Sequence, residues 1–217
     1  MKKRTTMLAL LLATGAGTCL QAQEKLTQFK VRDAITVRTP IMNDSINPKG
    51  EKYADKDLLK TPVVLDLADA PFQVLSTDTA GVLSFPKAEK DHSIYLLETS
   101  LRAERFMTGK LKVTSPARWE IFINGESKMS KENAEDSISG ASTREVNLRL
   151  EPEADYEITI KLLSGSKDKA VPTLKCELIK DDKFKDITCF VSPEQKKRFA
   201  LPNTVYGNRG IGVSISP

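Results

Sequence analysis

The chain has 217 residues, of which 40% are hydrophobic and 29% are charged, and its formal net charge is +4. This balance excludes a mostly disordered chain and a protein with several membrane spans, and the length suits one domain with room for a small additional segment. The chain has one histidine, His92, and three cysteines, Cys19, Cys176 and Cys189. A histidine-based metal site cannot be built from one histidine, and any catalytic pair that needs a histidine would have to use His92.

Residues 1–22 have the pattern of a secretory signal peptide. A basic start is followed by an apolar run at 7–13, which is too short to span a bilayer, and small residues lead to Ala22. Cleavage after Ala22 predicts an exported protein, periplasmic or extracellular; a lipoprotein anchored through Cys19 is the less favoured alternative. The segment holds three basic and no acidic residues, so 30 basic and 29 acidic residues remain and the charge gives no reason to expect nucleic acid.

Residues 23–60 are mixed and polar, with turn signals at Thr39-Pro40 and at 47–50. They predict an extended polar leader that contains a short helix within 51–60.

Residues 61–192 form a series of short runs in which apolar and polar side chains alternate. The runs lie at 62–67, 82–85, 93–98, 110–114, 119–123, 145–150, 156–162, 173–180 and 186–191. Period two over this many runs indicates antiparallel strands, and Asn124-Gly125 is typical of a tight hairpin turn. The sequence therefore predicts a mainly β fold, an antiparallel β-sandwich of jelly-roll or immunoglobulin type. The polar stretch 127–143 predicts a solvated loop.

Residues 193–217 change character again. Ser192-Pro193-Glu194 predicts the start of a short helix that ends at Leu201, and 211–217 alternate as a terminal strand.

Few side chains are candidates for chemistry. His92 could act as a general base, but the chain has no Gly-x-Ser-x-Gly motif, and a surface histidine is the favoured interpretation. Cys176 and Cys189 would lie opposite each other if their two runs formed one hairpin, which makes them a candidate disulfide. Trp119 could stack on a ligand, although it shares its side of the strand with Ile121 and core burial is favoured. We expect no cofactor, no metal and no catalytic residue.

A family resemblance adds to this interpretation. The run FMTGKLKV at 106–113, followed by EIFING at 120–125, resembles accessory jelly-roll domains of secreted bacterial hydrolases. With NTVYGNR at 203–209 and VSISP at 213–217, nearly all of the chain after residue 22 is similar to the N-terminal region of exported prolyl-oligopeptidase-family serine peptidases of Bacteroides-like bacteria.

The resemblance implies a non-catalytic module that packs against a following β-propeller, which would begin within 193–217, and assists substrate access. Its partners would be the propeller and hydrolase domains of a parent peptidase. No residue here corresponds to the catalytic Ser, Asp and His of that family, so whether the protein belongs to an enzyme stays open. The alternative is a free-standing exported β-sandwich that binds carbohydrate or protein, with a glycan or peptide ligand. Neither hypothesis includes nucleic acid or an integral membrane span.

Overall fold

The computed structural model describes residues 23–32, 35–37, 50–51, 54–60, 72–89, 92–180 and 187–191. Within these ranges the chain forms thirteen β-strands and one short helix. In chain order they are β1 (Gln23–Lys25), β2 (Gln28–Arg32), β3 (Ile35–Val37), α1 (Asp55–Lys60), β4 (Phe72–Ser76), β5 (Val82–Ser84), β6 (His92–Ala103), β7 (Met107–Thr114), β8 (Arg118–Ile123), β9 (Glu126–Lys131), β10 (Thr143–Leu150), β11 (Asp155–Gly165), β12 (Thr173–Lys180) and β13 (Ile187–Phe190).

Two antiparallel sheets pack face to face, which confirms the predicted β-sandwich. Sheet A has the strand order β1-β12-β7-β10, and β5 also pairs with β12. Sheet B has the order β4-β2-β6-β11-β8-β9, and β3 and β13 also pair with β6. One edge of β6 is occupied by β11 over eleven residue pairs, and the other edge is shared by β3, β2 and β13.

The hydrophobic core fills the space between the two sheets. Side chains alternate along a strand, so one apolar set from each long strand faces inward. The set from β7, β8, β10 and β11 consists of Met107, Leu111, Val113, Trp119, Ile121, Ile123, Val146, Leu148, Leu150, Ile158, Ile160 and Leu162. All of these side chains are buried, and their strand neighbours point to the outer faces of the sheets.

Asn124 and Gly125 form the turn between β8 and β9. Their φ angles are 51° and 79°, and Ile123 pairs with Glu126 across the turn. Positive φ at both central positions is the requirement of a type I′ turn, which Asn and Gly meet at little steric cost. The predicted hairpin is therefore confirmed.

The first strands correct the predicted leader over 23–60. β1 pairs with β12 in sheet A, and β2 pairs with β4 and β6 in sheet B, so this region belongs to the sandwich. Phe29 and Val31 enter the core, whereas Lys30 and Arg32 are buried on the opposite face of β2. The sequence of β2 resembles a polar segment because Lys30 and Arg32, at alternate positions, are charged although the fold buries them. The predicted short helix is present as α1.

The predicted solvated loop at 127–143 is wrong in its first part, because β9 extends to Lys131 and pairs with β8. The Lys131 side chain is buried and donates a hydrogen bond to the carbonyl oxygen of Ser115 at 2.5 Å. Its ammonium group also lies 3.0 Å from the Glu135 carboxylate. These contacts hold the loop that follows β9 against Ser115, which lies where the chain passes from β7 of sheet A to β8 of sheet B.

Four predictions lie outside the described residues and stay predictions. They are the signal peptide at 1–22, the strand at 62–67, the helix that ends at Leu201 and the terminal strand at 211–217.

Truncation of the single tryptophan should show that it belongs to the core. Trp119 has no exposed surface, and Trp119→Ala should lower the free energy of unfolding by about 3–5 kcal/mol because it leaves a large cavity. Phe106 is an aromatic side chain that is 44% exposed, and Phe106→Ala should change the free energy of unfolding by less than about 1 kcal/mol. Urea unfolding of both variants measures the two values, and equal losses would contradict the assigned core.

Candidate functional site

Trp119 is not available as a stacking surface for a ligand. Its side chain is fully buried within the core, and its indole N–H has no hydrogen-bond partner among the described residues. The core interpretation of this residue is confirmed, and the ligand-stacking interpretation is wrong.

No disulfide joins Cys176 to Cys189. The predicted hairpin would have paired their strands, but Cys176 lies opposite Val113 in sheet A and Cys189 lies opposite Leu101 in sheet B. The two cysteines therefore belong to different layers of the sandwich. The candidate disulfide depended on that hairpin, and the hairpin is wrong.

A thiol titration tests this assignment directly. In a protein that begins at Gln23, unfolding without reductant should expose two thiols to Ellman's reagent. In the folded protein Cys176 should react much more slowly, because burial raises the pKa of its thiol and excludes the reagent. Finding no thiol after unfolding would show that the two cysteines are bonded to each other.

His92 is the first residue of β6 and is part of a charged cluster with three other side chains. Its Nε2 lies 3.0 Å from Asp55 Oδ1, and the guanidinium of Arg118 pairs with the same Asp55 carboxylate. Arg118 also donates to both oxygens of Asp168, at 2.9 and 2.8 Å. Asp168 in turn accepts the backbone N–H of Gly165 at 2.7 Å. His92 thus faces a carboxylate that is already shared with an arginine, and the cluster fixes the start of α1 on sheet B.

The end of α1 is held by Lys161, which is buried on the outer face of sheet B. Its ammonium group donates to the carbonyl oxygen of Leu59, and Glu120 lies directly across from it on β8. Burial, opposed by the attraction of Glu120, lowers the pKa of Lys161 to about 8. Leu58 and Leu59 complete the contact by packing on apolar side chains of β6 and β11. His92, Arg118 and Lys161 of sheet B therefore attach the helix.

The lowered pKa of Lys161 predicts how stability depends on pH. Between about pH 8 and pH 10.5 the unfolded chain binds a proton at this lysine that the folded chain has released, so the contribution of Lys161 to stability should rise with pH in that window. Lys161→Met should make the rise smaller between pH 7.5 and 9.5. The slope that remains is the sum of a rise from Lys30 and Lys131, whose pKa values burial also lowers, and a fall from Cys176, whose pKa burial raises.

Urea unfolding at a series of pH values measures this slope. Lys169→Met, at a side chain that is 73% exposed, is the matched control and should keep the slope of the unmodified chain. Equal slopes in both variants would show that Lys161 does not titrate in this window.

Sheet A differs from sheet B because its outer side is open to solvent. We call this surface the sheet A outer face. It consists of the outward side chains of four strands. One of them is apolar, Ile179, and the others are polar: Lys25, Thr108, Lys110, Lys112, Thr114, Thr143, Glu145, Asn147, Arg149, Lys175 and Glu177. At a rise of about 3.3 Å per residue and a strand spacing of about 4.8 Å, it measures roughly 27 by 15 Å, if Phe106 is included. It carries hydroxyl, amide, ammonium and carboxylate groups.

Ion pairs and hydrogen bonds order the side chains of this face. Lys110 binds Glu145 at 2.7 Å. Glu177 is buried between Lys112, at 3.8 Å, and Lys175, at 2.5 Å. Because each carboxylate is bound by neighbouring lysines, the side chains are held in place across the strands.

Phe106 closes one end of the sheet A outer face. It directly precedes β7, and its ring is 44% exposed. The guanidinium of Arg149, which belongs to the face, lies 5.1 Å from the ring centroid. This contact is within the range of a cation–π interaction and keeps the ring beside the polar groups.

Sequence reasoning did not identify this face as a site. The alternation at 110–114 and 145–150 gave its outward residues, but such residues are present on every strand with one solvated side. Phe106 lies before β7 begins, so the alternation of apolar and polar residues does not indicate on which side its ring lies.

Among the described residues, no group of three or more His, Cys, Asp and Glu side chains is placed to hold a metal ion. Within the same ranges, no helix is both long and apolar enough to cross a membrane.

Comparison with known proteins gives distant structural neighbours. No family model matches the chain, and no curated protein does. A PA14 sugar-binding domain from an RTX adhesin is 18% identical with a TM-score of 0.33, over 46% of this chain and 52% of its own. A family 35 carbohydrate binding module from an environmental isolate is 14% identical with a TM-score of 0.34, over 51% of this chain and 79% of its own.

A third neighbour, a β-glucosidase from Kluyveromyces marxianus, is 18% identical with a TM-score of 0.41 and is matched over 57% of this chain and 16% of its own. The chain thus spans about half of the adhesin domain and less than a fifth of the glucosidase. The predicted relationship to prolyl-oligopeptidase-family peptidases stays a prediction. At this level of similarity, the function has to be argued from the surface of the chain itself.

Proposed function

We propose that this chain is a non-catalytic binding module and that it binds a polysaccharide along the sheet A outer face. The observation that carries the proposal is the exposed Phe106 ring at the end of a row of polar side chains that ion pairs hold in place.

The chemistry of the face suits a sugar chain. A pyranose ring has an apolar face of C–H groups and a rim of hydroxyl groups. An aromatic ring packs against the apolar C–H face, and hydroxyl, amide and charged side chains form hydrogen bonds with the hydroxyl groups of the rim. Thr108 supplies such a group one outward step from Phe106, and Asn147 supplies another on the neighbouring strand, opposite Lys110 and one step further along. A linear polymer lying along β7 would meet both kinds of contact.

The titratable cluster on sheet B supports a binding role over a catalytic one. His92 and Asp55 form a pair, but Arg118 occupies the second oxygen of Asp55, and the whole group attaches α1. A catalytic histidine needs a nucleophile or a substrate proton within hydrogen-bond reach, whereas Nε2 of His92 is directed to the carboxylate. This cluster on sheet B thus serves to hold α1 in place.

Loss of the Phe106 ring should abolish most of the binding. A glycan array that includes neutral and acidic polymers first selects a soluble polysaccharide. Affinity gels that contain this polysaccharide should then retard the unmodified chain. Phe106→Ala should raise the dissociation constant about tenfold, which corresponds to a loss of about 1.4 kcal/mol of binding free energy.

Ile138→Ala is the matched control, because this side chain is 51% exposed and lies in the loop after β9. It should leave the affinity unchanged. If the folded chain binds no glycan of the panel, or if both variants bind equally well, the proposed function is wrong.

A further inference from the structure

We infer that the polysaccharide bound by the sheet A outer face is acidic, with negatively charged groups repeated along its length. This inference rests on the proposed function and adds the chemical class of the ligand.

Four basic side chains form a ladder across the sheet A outer face. Lys110 and Lys112 are successive outward residues of β7, two positions apart. Arg149 lies opposite Thr108, one outward step before Lys110, and Lys175 lies opposite Thr114, one outward step after Lys112. The ladder therefore has one cation at each of four consecutive levels.

The steps of the ladder are regular. Two residues of a strand span about 6.6 Å, so the four levels cover about 20 Å. The ladder crosses from β10 through β7 to β12, and it begins at Arg149, which contacts the ring of Phe106. A polymer that stacks one sugar on this ring and continues along the ladder would meet a cation at every level.

The carboxylates of this face offset the charge of the ladder only in part, although each ladder cation has an acidic neighbour. Including Glu151, which lies 3.4 Å from Arg149, the face has five basic side chains and three acidic ones: Lys25, Lys110, Lys112, Arg149 and Lys175 against Glu145, Glu151 and Glu177. Glu177 is buried beneath two of the lysines, so their ammonium groups form the accessible part of that ion cluster. The remainder of the chain after residue 22 must therefore be acidic on balance, because its total is 30 basic and 29 acidic residues.

Charge complementarity selects an anionic partner for such a surface. Repeated charges on a polymer gain from a periodic array of cations, and the attraction weakens with salt because the groups are exposed. A neutral polysaccharide would displace water from the lysine ammonium groups without offering them an opposite charge.

The test compares one polymer in charged and neutral forms. Polygalacturonate is the acidic probe, and its fully methyl-esterified form has the same backbone without the charge. Isothermal titration at 50 mM NaCl should give binding to the acid that is at least about tenfold tighter than to the ester. The affinity for the acid should fall about tenfold at 300 mM NaCl.

Variants test whether the ladder is responsible. The double variant Lys110→Gln/Arg149→Gln removes two exposed cations and should weaken binding of polygalacturonate about tenfold. Lys110→Arg should bind as the unmodified chain does. The control Lys128→Gln/Lys169→Gln removes two lysines that lie on β9 and after β11, outside sheet A, and should stay within about twofold. Circular dichroism and urea unfolding confirm that each variant is folded.

The outcomes separate this inference from the proposed function. Equal binding of acid and ester, or no effect of salt, overturns the acidic ligand and leaves a neutral-polysaccharide module. Salt-sensitive binding that survives loss of the ladder overturns the assigned site. Equal affinity for poly-L-glutamate shows that any polyanion is bound and overturns recognition of a sugar polymer. Binding of no glycan in the earlier panel removes the proposed function, and the inference with it.

Discussion

The pairing of β6 with β11 connects the two hydrophobic layers of the molecule, since these strands are buried on both sides. Their inward side chains belong to the core between the sheets. Their outward side chains Ile94, Leu96 and Leu163 pack under Leu58 and Leu59 of α1. A shift of register by one residue would exchange the two sets, so both the core and the helix contact would be lost together. The position of α1, and hence which sheet remains open to solvent, depends on this register.

The two sheets use their charged side chains in opposite ways. On sheet B, Lys161 and Arg118 are largely withdrawn from water, which is costly unless each finds a partner. The Leu59 carbonyl and the Asp168 carboxylate provide these partners, and α1 is fixed as a result. On sheet A, the lysines remain at the surface and are only ordered by their neighbours. Sheet B thus supplies the rigid base, and sheet A supplies the surface on which contacts with another molecule can form.

Much of the fold follows from local patterns in the sequence. The alternation in β7, β8, β10 and β11 predicts both the strands and their inward residues, because a two-residue period is imposed by the pleat itself. The Asn124-Gly125 turn is predicted for a similarly local reason, since few other residues adopt positive φ at both positions.

The errors concern partners that are distant in the sequence. The strand pattern of β2 is disguised, because Lys30 and Arg32 at its outward positions are charged although they are buried. Cys176 and Cys189 are close in sequence, and a hairpin between their strands was the simplest arrangement. Instead β12 joins sheet A and β13 joins sheet B, which only the packing of the whole sandwich decides. The candidate site was missed for the same reason, since the ladder of basic residues is assembled from three strands.

The far edge of β6 is completed by strands from opposite ends of the described chain, β2 and β3 on one side of the sequence and β13 on the other. During synthesis from the N-terminus, the edge next to Leu101 and Ala103 therefore stays open until residues 187–190 have left the ribosome. An unpaired strand edge is a site of attachment for other chains, and contacts between distant segments form slowly. This part of the sheet edge is therefore covered only when residues 187–190 pair with a strand that lies far earlier in the sequence.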